Sequence, residues 1–194
     1  MILIFATHNA HKVEELTQLL PYNINLYSLT DIECFKEIEE TGSTLEENAK
    51  IKADFIRMKY GLDCFADDSG LEIEALDGAP GVYSARYAGS QKNNEDNIQK
   101  VWKELKGIKN PKACFRSVFH VHLGNREYQI QGRIEGTISF EEKGTNGFGY
   151  DPIFIPEGYQ NTFAELGEEI KNKIGHRAKA TLELIEILNY FAAT

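Results

Sequence analysis

Apolar residues recur along the chain with two periods, and the switches between them divide it into elements. Met1 to Ala6 is an unbroken apolar run of strand length, which predicts a short buried strand. Beyond the polar Thr7 to His11, Val13, Leu16, Leu19 and Leu20 recur at helical spacing, and Pro21 stops that helix. Leu26 to Leu29 predicts a second strand. Ser43 or Thr44 is placed to cap the next helix, with Glu46 and Glu47 three residues on in capping-box fashion. Leu45, Ala49, Ala53, Ile56 and Tyr60 form its apolar stripe, while Asn48 and Lys52, four apart, share another face. Cys64 to Ala66 predicts a buried strand that ends at Asp67-Asp68-Ser69-Gly70. Gly78 to Gly89 is loop-like, and Ile98, Val101, Trp102 and Leu105 mark a third helix with Trp102 in its core stripe.

From Ala113 to Leu123 the period changes to two. Phe115, Phe119, Val121 and Leu123 face one way, and Arg116, His120 and His122 the other. Gly124-Asn125 supplies a turn, and Tyr128, Ile130 and Ile134 alternate in return, so a hairpin makes the sheet at least partly antiparallel. A second glycine loop, Gly144 to Asp151, leads through Pro152 into a strand at Ile153 to Ile155. The last helix starts near His176 and turns Ala178, Leu182, Ile185 and Leu188 inward. No internal repeat or linker interrupts this mixed α/β pattern.

Composition narrows the function classes. The 194 residues suit one domain, or two small lobes sharing a cleft, and 42% hydrophobic residues supply a core. A net charge of −9 opposes binding to a nucleic-acid backbone but not a local cationic pocket for a nucleotide. The apolar runs are too short to cross a bilayer. No basic leader precedes the first strand, so no signal peptide is expected. Three widely spaced cysteines make a disulfide framework improbable and point to a reducing cytoplasm.

Four polar clusters stand at predicted element ends, where sites commonly lie. Thr7-His8-Asn9-Ala10-His11-Lys12 joins a strand to a helix, where backbone N–H groups and Lys12 suit an anion; a plain capped turn is the alternative. Glu39, Glu40 and Lys52 could hold a hard cation and a phosphate, or simply form a solvated face. Asn48 stands out, being a poor helix former without an evident structural need. Asp67 and Asp68 are adjacent carboxylates that repel each other unless a cation intervenes; magnesium between them could orient a water, and Asp68 could take its proton. An Asp-Asp-Ser-Gly turn reads equally well. The fourth cluster joins Asn146-Gly147-Phe148-Gly149-Tyr150-Asp151 to Lys171, His176 and Arg177. There Phe148 or Tyr150 offers a ring for stacking and Arg177 a fork of donors. His120 and His122 share a strand face and could bind zinc, but with no cysteine or further carboxylate close in sequence a satisfied sheet face is the better reading.

In order along the chain stand T-x-N-x-x-K (Thr7, Asn9, Lys12), E-N-A-x-x-K-A (Glu47 to Ala53), A-D-D-S-G-L (Ala66 to Leu71), G-A-P-G-V-Y-S-A-R (Gly78 to Arg86), F-G-Y-D-P (Phe148 to Pro152) and H-R (His176, Arg177). With these motifs the chain resembles the inosine triphosphate pyrophosphatases from Ile4 to Ala180. The resemblance implies a long mixed β-sheet flanked by helices, two lobes around a central cleft, in a homodimer. It implies hydrolysis of non-standard purine nucleoside triphosphates (ITP, dITP, XTP) to monophosphate and pyrophosphate, with Mg2+ on Glu40 and Asp68 and Asp68 as general base. It further implies that Thr7 to Lys12 hold the triphosphate, that Lys52 assists, and that Ser69 touches the substrate. Phe148, Gly149, Tyr150, Asp151, Lys171, His176 and Arg177 then line the nucleoside end. Gly78 to Arg86 shape the cleft or the dimer contact. One departure is His8, which stands where the family has glycine. The rivals are a related enzyme clearing modified pyrimidine triphosphates and a nucleotide sensor without turnover; the H-R pair speaks against the first, and the full set of aspartates and lysines against the second.

Overall fold

The computed structural model describes residues 1–192. Six strands form one mixed sheet: β1 (Ile2–Phe5), β2 (Asn25–Ser28), β3 (Cys64–Ile73), β4 (Lys112–Leu123), β5 (Arg126–Ile138) and β6 (Phe154–Pro156), in the order β2-β1-β3-β4-β5-β6. β1 pairs in parallel with both β2 and β3, with Phe5 opposite Phe65, and β6 runs antiparallel to β5. β4 and β5 are joined by Gly124-Asn125 alone, a connection that only an antiparallel hairpin allows. The flanking helices are α1 (Ala10–Leu19), α2 (Leu45–Tyr60), α3 (Asn94–Glu104), α4 (Phe163–Ile174) and α5 (His176–Ala192). None of the described helices is long and apolar enough to cross a membrane.

The chain divides into two compact units. The first comprises Met1–Asp68, Ser117–Gly132 and Arg177–Thr194. β1 and the adjoining start of β3 are buried on both faces, as strands with helices on either side must be, whereas the edge strand β2 is largely exposed. Leu3, Phe5 and Phe65 point into one core with Leu16, Phe119, Val121, Ala180, Leu184 and Leu188. Ile4, Ala6, Cys64 and Ala66 point into another with Leu29, Ala53 and Ile56. Phe5 and Phe65 stack at 4.5 Å across the pair. The alternation along β3 does not stop at Ala66, and that fact places the site. The predicted strand end at Asp67 is therefore corrected: Asp67, Asp68, Ser69 and Gly70 lie in mid-strand, not in a turn.

The second unit comprises Ser69–Arg116 and Arg133–His176. Its core joins Leu71, Ile73, Ile98, Val101, Phe115, Ile134, Tyr150, Phe154 and Phe163. Trp102 packs against it and donates its indole N–H to Ser139 O at 2.8 Å, in keeping with its place in the α3 stripe. The Gly78–Arg86 motif has a structural task here. Ser84 Oγ accepts from Leu71 N at 2.9 Å and donates to Gly81 O at 2.6 Å, and Tyr150 donates its hydroxyl to Ser84 O at 2.9 Å.

Two helices differ from the sequence pattern. α4 carries no sequence expectation because Gly167, at φ 77° and ψ 175°, kinks it and breaks its stripe; Thr162 and Glu165 start it with a reciprocal capping box. In α5 the inward set is Ala178, Ala180, Thr181, Leu184 and Leu188, whereas Leu182 is 58% exposed, contrary to expectation, and Ile185 is only half-buried. The inward stripe passes through Ala180 and Thr181, which an argument from large apolar side chains overlooks. All three cysteines are free and buried, and burial pushes Cys64 up to about 12 and Cys114 up to about 11. Both stay thiols at neutral pH, in keeping with the absence of a disulfide framework.

Candidate active site

The first unit gathers ionic groups around the centre of β3. Successive strand residues point to opposite faces, so Asp67 continues the Phe65 side, where α1 and α5 pack, and Asp68 continues the Ala66 side, where α2 packs. Their partners follow. Lys12 of α1 donates Nζ to Asp67 Oδ1 at 2.8 Å, and Arg177 of α5 donates Nε to Asp67 Oδ2 at 3.3 Å. The Arg177 guanidinium also binds Glu15 of α1. On the other face, Asn48 of α2 donates Nδ2 to Asp68 Oδ2 at 3.1 Å and accepts from Gly42 N at 2.8 Å. This two-sided contact is the need that explains an asparagine, fully buried, within a helix.

Lys52 ties the cluster together. Its Nζ donates to Glu40 Oε1 at 2.6 Å and to Asp67 O at 2.7 Å, and lies 3.9 Å from Asp68 Oδ1. Glu40 and Asp68 thus converge on one cation-sized place, with oxygen donors of the kind hard divalent cations take.

The two aspartates diverge electrostatically. Burial alone would raise Asp67, but Lys12, Arg177 and Lys52 outweigh it and hold its carboxyl well below the usual range. Burial raises Asp68, Lys52 and Lys12 oppose without cancelling it, and Glu40 adds to the rise. Cations do intervene between the neighbouring carboxylates, and because the strand sends the two to opposite faces each meets its own set. Burial would lower Lys52, but Asp68, Glu40 and Asp67 raise it instead; Lys12 is lowered, by burial first, with Lys52 and Arg177 adding to the fall.

The loop before α1 is shaped by its own cap. Asn9 Oδ1 accepts from Lys12 N at 3.3 Å, and Thr7 Oγ1 accepts from Asn9 N at 3.1 Å. His8, Ala10 and His11 are exposed. His11 lies 3.8 Å from Glu14 along the helix surface.

The second unit holds Ser69, Phe148, Gly149, Tyr150, Asp151, Lys171 and His176. Asp151 Oδ2 accepts from Phe148 N at 2.9 Å and from Lys171 Nζ at 2.8 Å, and the same ammonium sits 4.6 Å from the centre of the Phe148 ring. His176 stacks on Phe115 at 4.9 Å. Tyr150 is 4% exposed and belongs to the core, so of the two rings considered for stacking only the half-buried Phe148 is accessible. His176 and Arg177, though adjacent, belong to different units.

Sequence reasoning missed Glu15. Its signal was slight: three residues after Lys12, it shares that helix face. It also discounted His120 and His122 for want of a carboxylate, yet Asp54 of α2 lies 2.7 Å from His122. Burial, then Lys50 and His122, hold His120 below its ordinary value.

A mixed six-stranded α/β sheet with an ionic cluster at mid-strand is the class these features define. The chain belongs to the Ham1 family, which its residues 3–187 match. The dITP/XTP pyrophosphatase of Flavobacterium johnsoniae is 53% identical over 188 residues, covering 97% of this chain and 98% of that relative. The dITP/XTP pyrophosphatase of Porphyromonas gingivalis is 50% identical over 96% of each chain. Among solved structures, a HAM1 protein from Coxiella burnetii aligns with a TM-score of 0.90 at 39% identity, over 98% of this chain and 99% of that one.

Proposed function

We propose that this chain is a dITP/XTP pyrophosphatase, hydrolysing ITP, dITP and XTP to the monophosphate and pyrophosphate and so removing deaminated purines from the cytoplasmic nucleotide pool. The observation that carries the reading is the convergence of Glu40 and Asp68 on the Lys52 ammonium, beside Lys12 and Arg177. A triphosphate carries about four negative charges, and buried cations of this kind counter them. Near-full-length kinship at 53% identity to an enzyme of that name supports the substrate class. The whole chain, 1–194, acts in this reading as one pyrophosphatase domain, in a homodimer.

Glu40 and Asp68 would hold Mg2+, whose oxygen preference their carboxylates fit. Bound there, magnesium supplies neutralisation of the polyphosphate and acidification of water. Asp68, with its raised proton affinity, takes the proton of the attacking water. That oxygen bonds to the α-phosphorus in line, the α–β bridge breaks, and pyrophosphate leaves with the bridging oxygen. Lys12, Lys52 and the Thr7–Lys12 loop, with His8, Asn9, Ala10 and His11, hold the phosphates. Ser69, Phe148, Gly149, Tyr150 through its backbone, Asp151, Lys171, His176 and Arg177 contact the nucleoside. N–H donors of His176 and Arg177 favour a 6-keto oxygen; the amino group of adenine leaves a buried donor unpaired, a loss of about 1–3 kcal/mol.

The test is product analysis. With magnesium, dITP and XTP are expected to release pyrophosphate and ATP and dTTP almost none, and a chelator is expected to stop release. Asp68→Asn is expected to bind ITP while its kcat falls by about 10²–10⁴-fold. Orthophosphate as product, or wild-type turnover by Asp68→Asn, overturns the assignment.

A further inference from the structure

Outside this ionic cluster, His120 and His122 of β4 stand two apart on one strand face, and Asp54 of α2 stands against them. One ligand atom from each of the three lies within 4.8 Å of the others. His122 Nε2 is 2.7 Å from Asp54 Oδ1, and His120 Nε2 is 3.9 Å from that oxygen and 3.6 Å from Glu127 Oε2. The His120 side chain is only 7% exposed, and both its ring nitrogens are buried without a hydrogen-bond partner. A buried imidazole left idle beside two carboxylates calls for something else to bind.

We propose that Asp54, His120 and His122, with Glu127 as a fourth donor, form a site for a divalent transition metal of the zinc class. Tetrahedral zinc keeps N and O ligands at about 2.0–2.2 Å, which places neighbouring donor atoms about 3.3–3.5 Å apart. The distances of 2.7, 3.6 and 3.9 Å bracket that spacing, so small side-chain shifts close the shell. Two imidazoles with carboxylates suit zinc, cobalt or nickel; magnesium and calcium favour all-oxygen shells. The site is therefore chemically distinct from Glu40 and Asp68. Lys50 is its built-in competitor: Nζ lies 3.1 Å from Asp54 Oδ2 and 3.3 Å from Glu127 Oε2. That side chain is 48% exposed on a flexible stem, so it can yield its place to a more highly charged cation and remain solvated. Asp54 follows Lys52 by two residues, so a bound metal would tie the middle of α2 to the β4 strand.

Zinc binding to the full chain, read by calorimetry, and the visible spectrum of the cobalt-substituted protein test this. One equivalent is expected beyond any bound in the presence of excess magnesium, with a cobalt spectrum lacking thiolate charge transfer. His120→Ala and His122→Ala are each expected to weaken binding about tenfold or more. Lys50→Ala is expected to tighten it several-fold by removing the competing charge, a gain that misfolding cannot imitate. No zinc bound by the wild-type chain, unchanged affinity in both histidine variants, or weaker binding by Lys50→Ala overturns the proposal.

Discussion

Asp67 and Asp68 are chemically different because a strand sends neighbours to opposite faces. One meets Lys12 and Arg177 and is held ionised; the other, more weakly countered, holds its proton more strongly. A base in a water-activating reaction works best when its proton affinity approaches the working pH, so the environment favours Asp68 over Asp67 for that role. Lys52 is the leading cation lowering Asp68. Lys52→Met should raise Asp68 further and move the acid limb of kcat/KM for dITP toward higher pH, since a base must be ionised to act. The profile against pH reads this directly, and an unmoved limb would confine Lys52 to phosphate contact. At this scale the sequence was partly transparent. The four-residue spacing of Asn48 and Lys52 placed them on one face, and they meet Asp68 there. Glu15 was opaque, since an acidic residue on a helix looks solvated until its partner, 162 residues away, is known.

At the scale of elements, polarity misleads where charge is buried. The pattern reads Asp67 to Gly70 as the end of a strand, because carboxylates usually mark exposure. The strand continues because Lys12 and Arg177, 55 and 110 residues away, neutralise the first carboxylate, pairings that no local window contains. By contrast, β1, the β4–β5 hairpin and α2 were legible, since their apolar periods and caps are local. In α2, Thr44 Oγ1 accepts from Glu47 N at 3.1 Å, as the spacing of Thr44 and Glu47 foretold. Past the aspartates β3 packs tightly at Gly70, where an added Cβ would lie 2.3 Å from Gly81 O and 3.1 Å from Ser84 Oγ. The nearer obstacle is backbone and cannot rotate away. Gly70→Ala should destabilise the fold by about 1–3 kcal/mol, read as a lower urea midpoint. A wild-type midpoint would mean that the Gly81–Arg86 turn shifts freely.

For the whole molecule, the net charge of −9 conceals an inversion: the excess is acidic, yet Lys12, Lys52 and Arg177 crowd the middle of one unit. These cations can be buried because Asp67, itself 1% exposed, anchors all three through its carboxylate and carbonyl oxygens. Asp67→Ala leaves Lys12 and Arg177 without their carboxylate, while the main-chain oxygen that holds Lys52 stays, and breaking a buried pair costs about 3–5 kcal/mol. That is a large share of the about 5–15 kcal/mol that holds a typical domain folded. The pH dependence has a definite sign. The folded value of Asp67 lies below its ordinary 3.8, so its contribution is complete above that pH and is lost as the solution is acidified through the folded value. Asp68 has the opposite sign: its raised value makes ionisation costly to the fold, and acid relieves that cost. Urea midpoints measured across the acid range for wild type and Asp67→Ala should therefore converge as pH falls below 3.8, because protonation removes in one what mutation removed in the other. The remaining carboxylates are common to both curves, so their difference isolates Asp67. A gap that stayed constant into acid would show that Asp67 stabilises by packing rather than by charge.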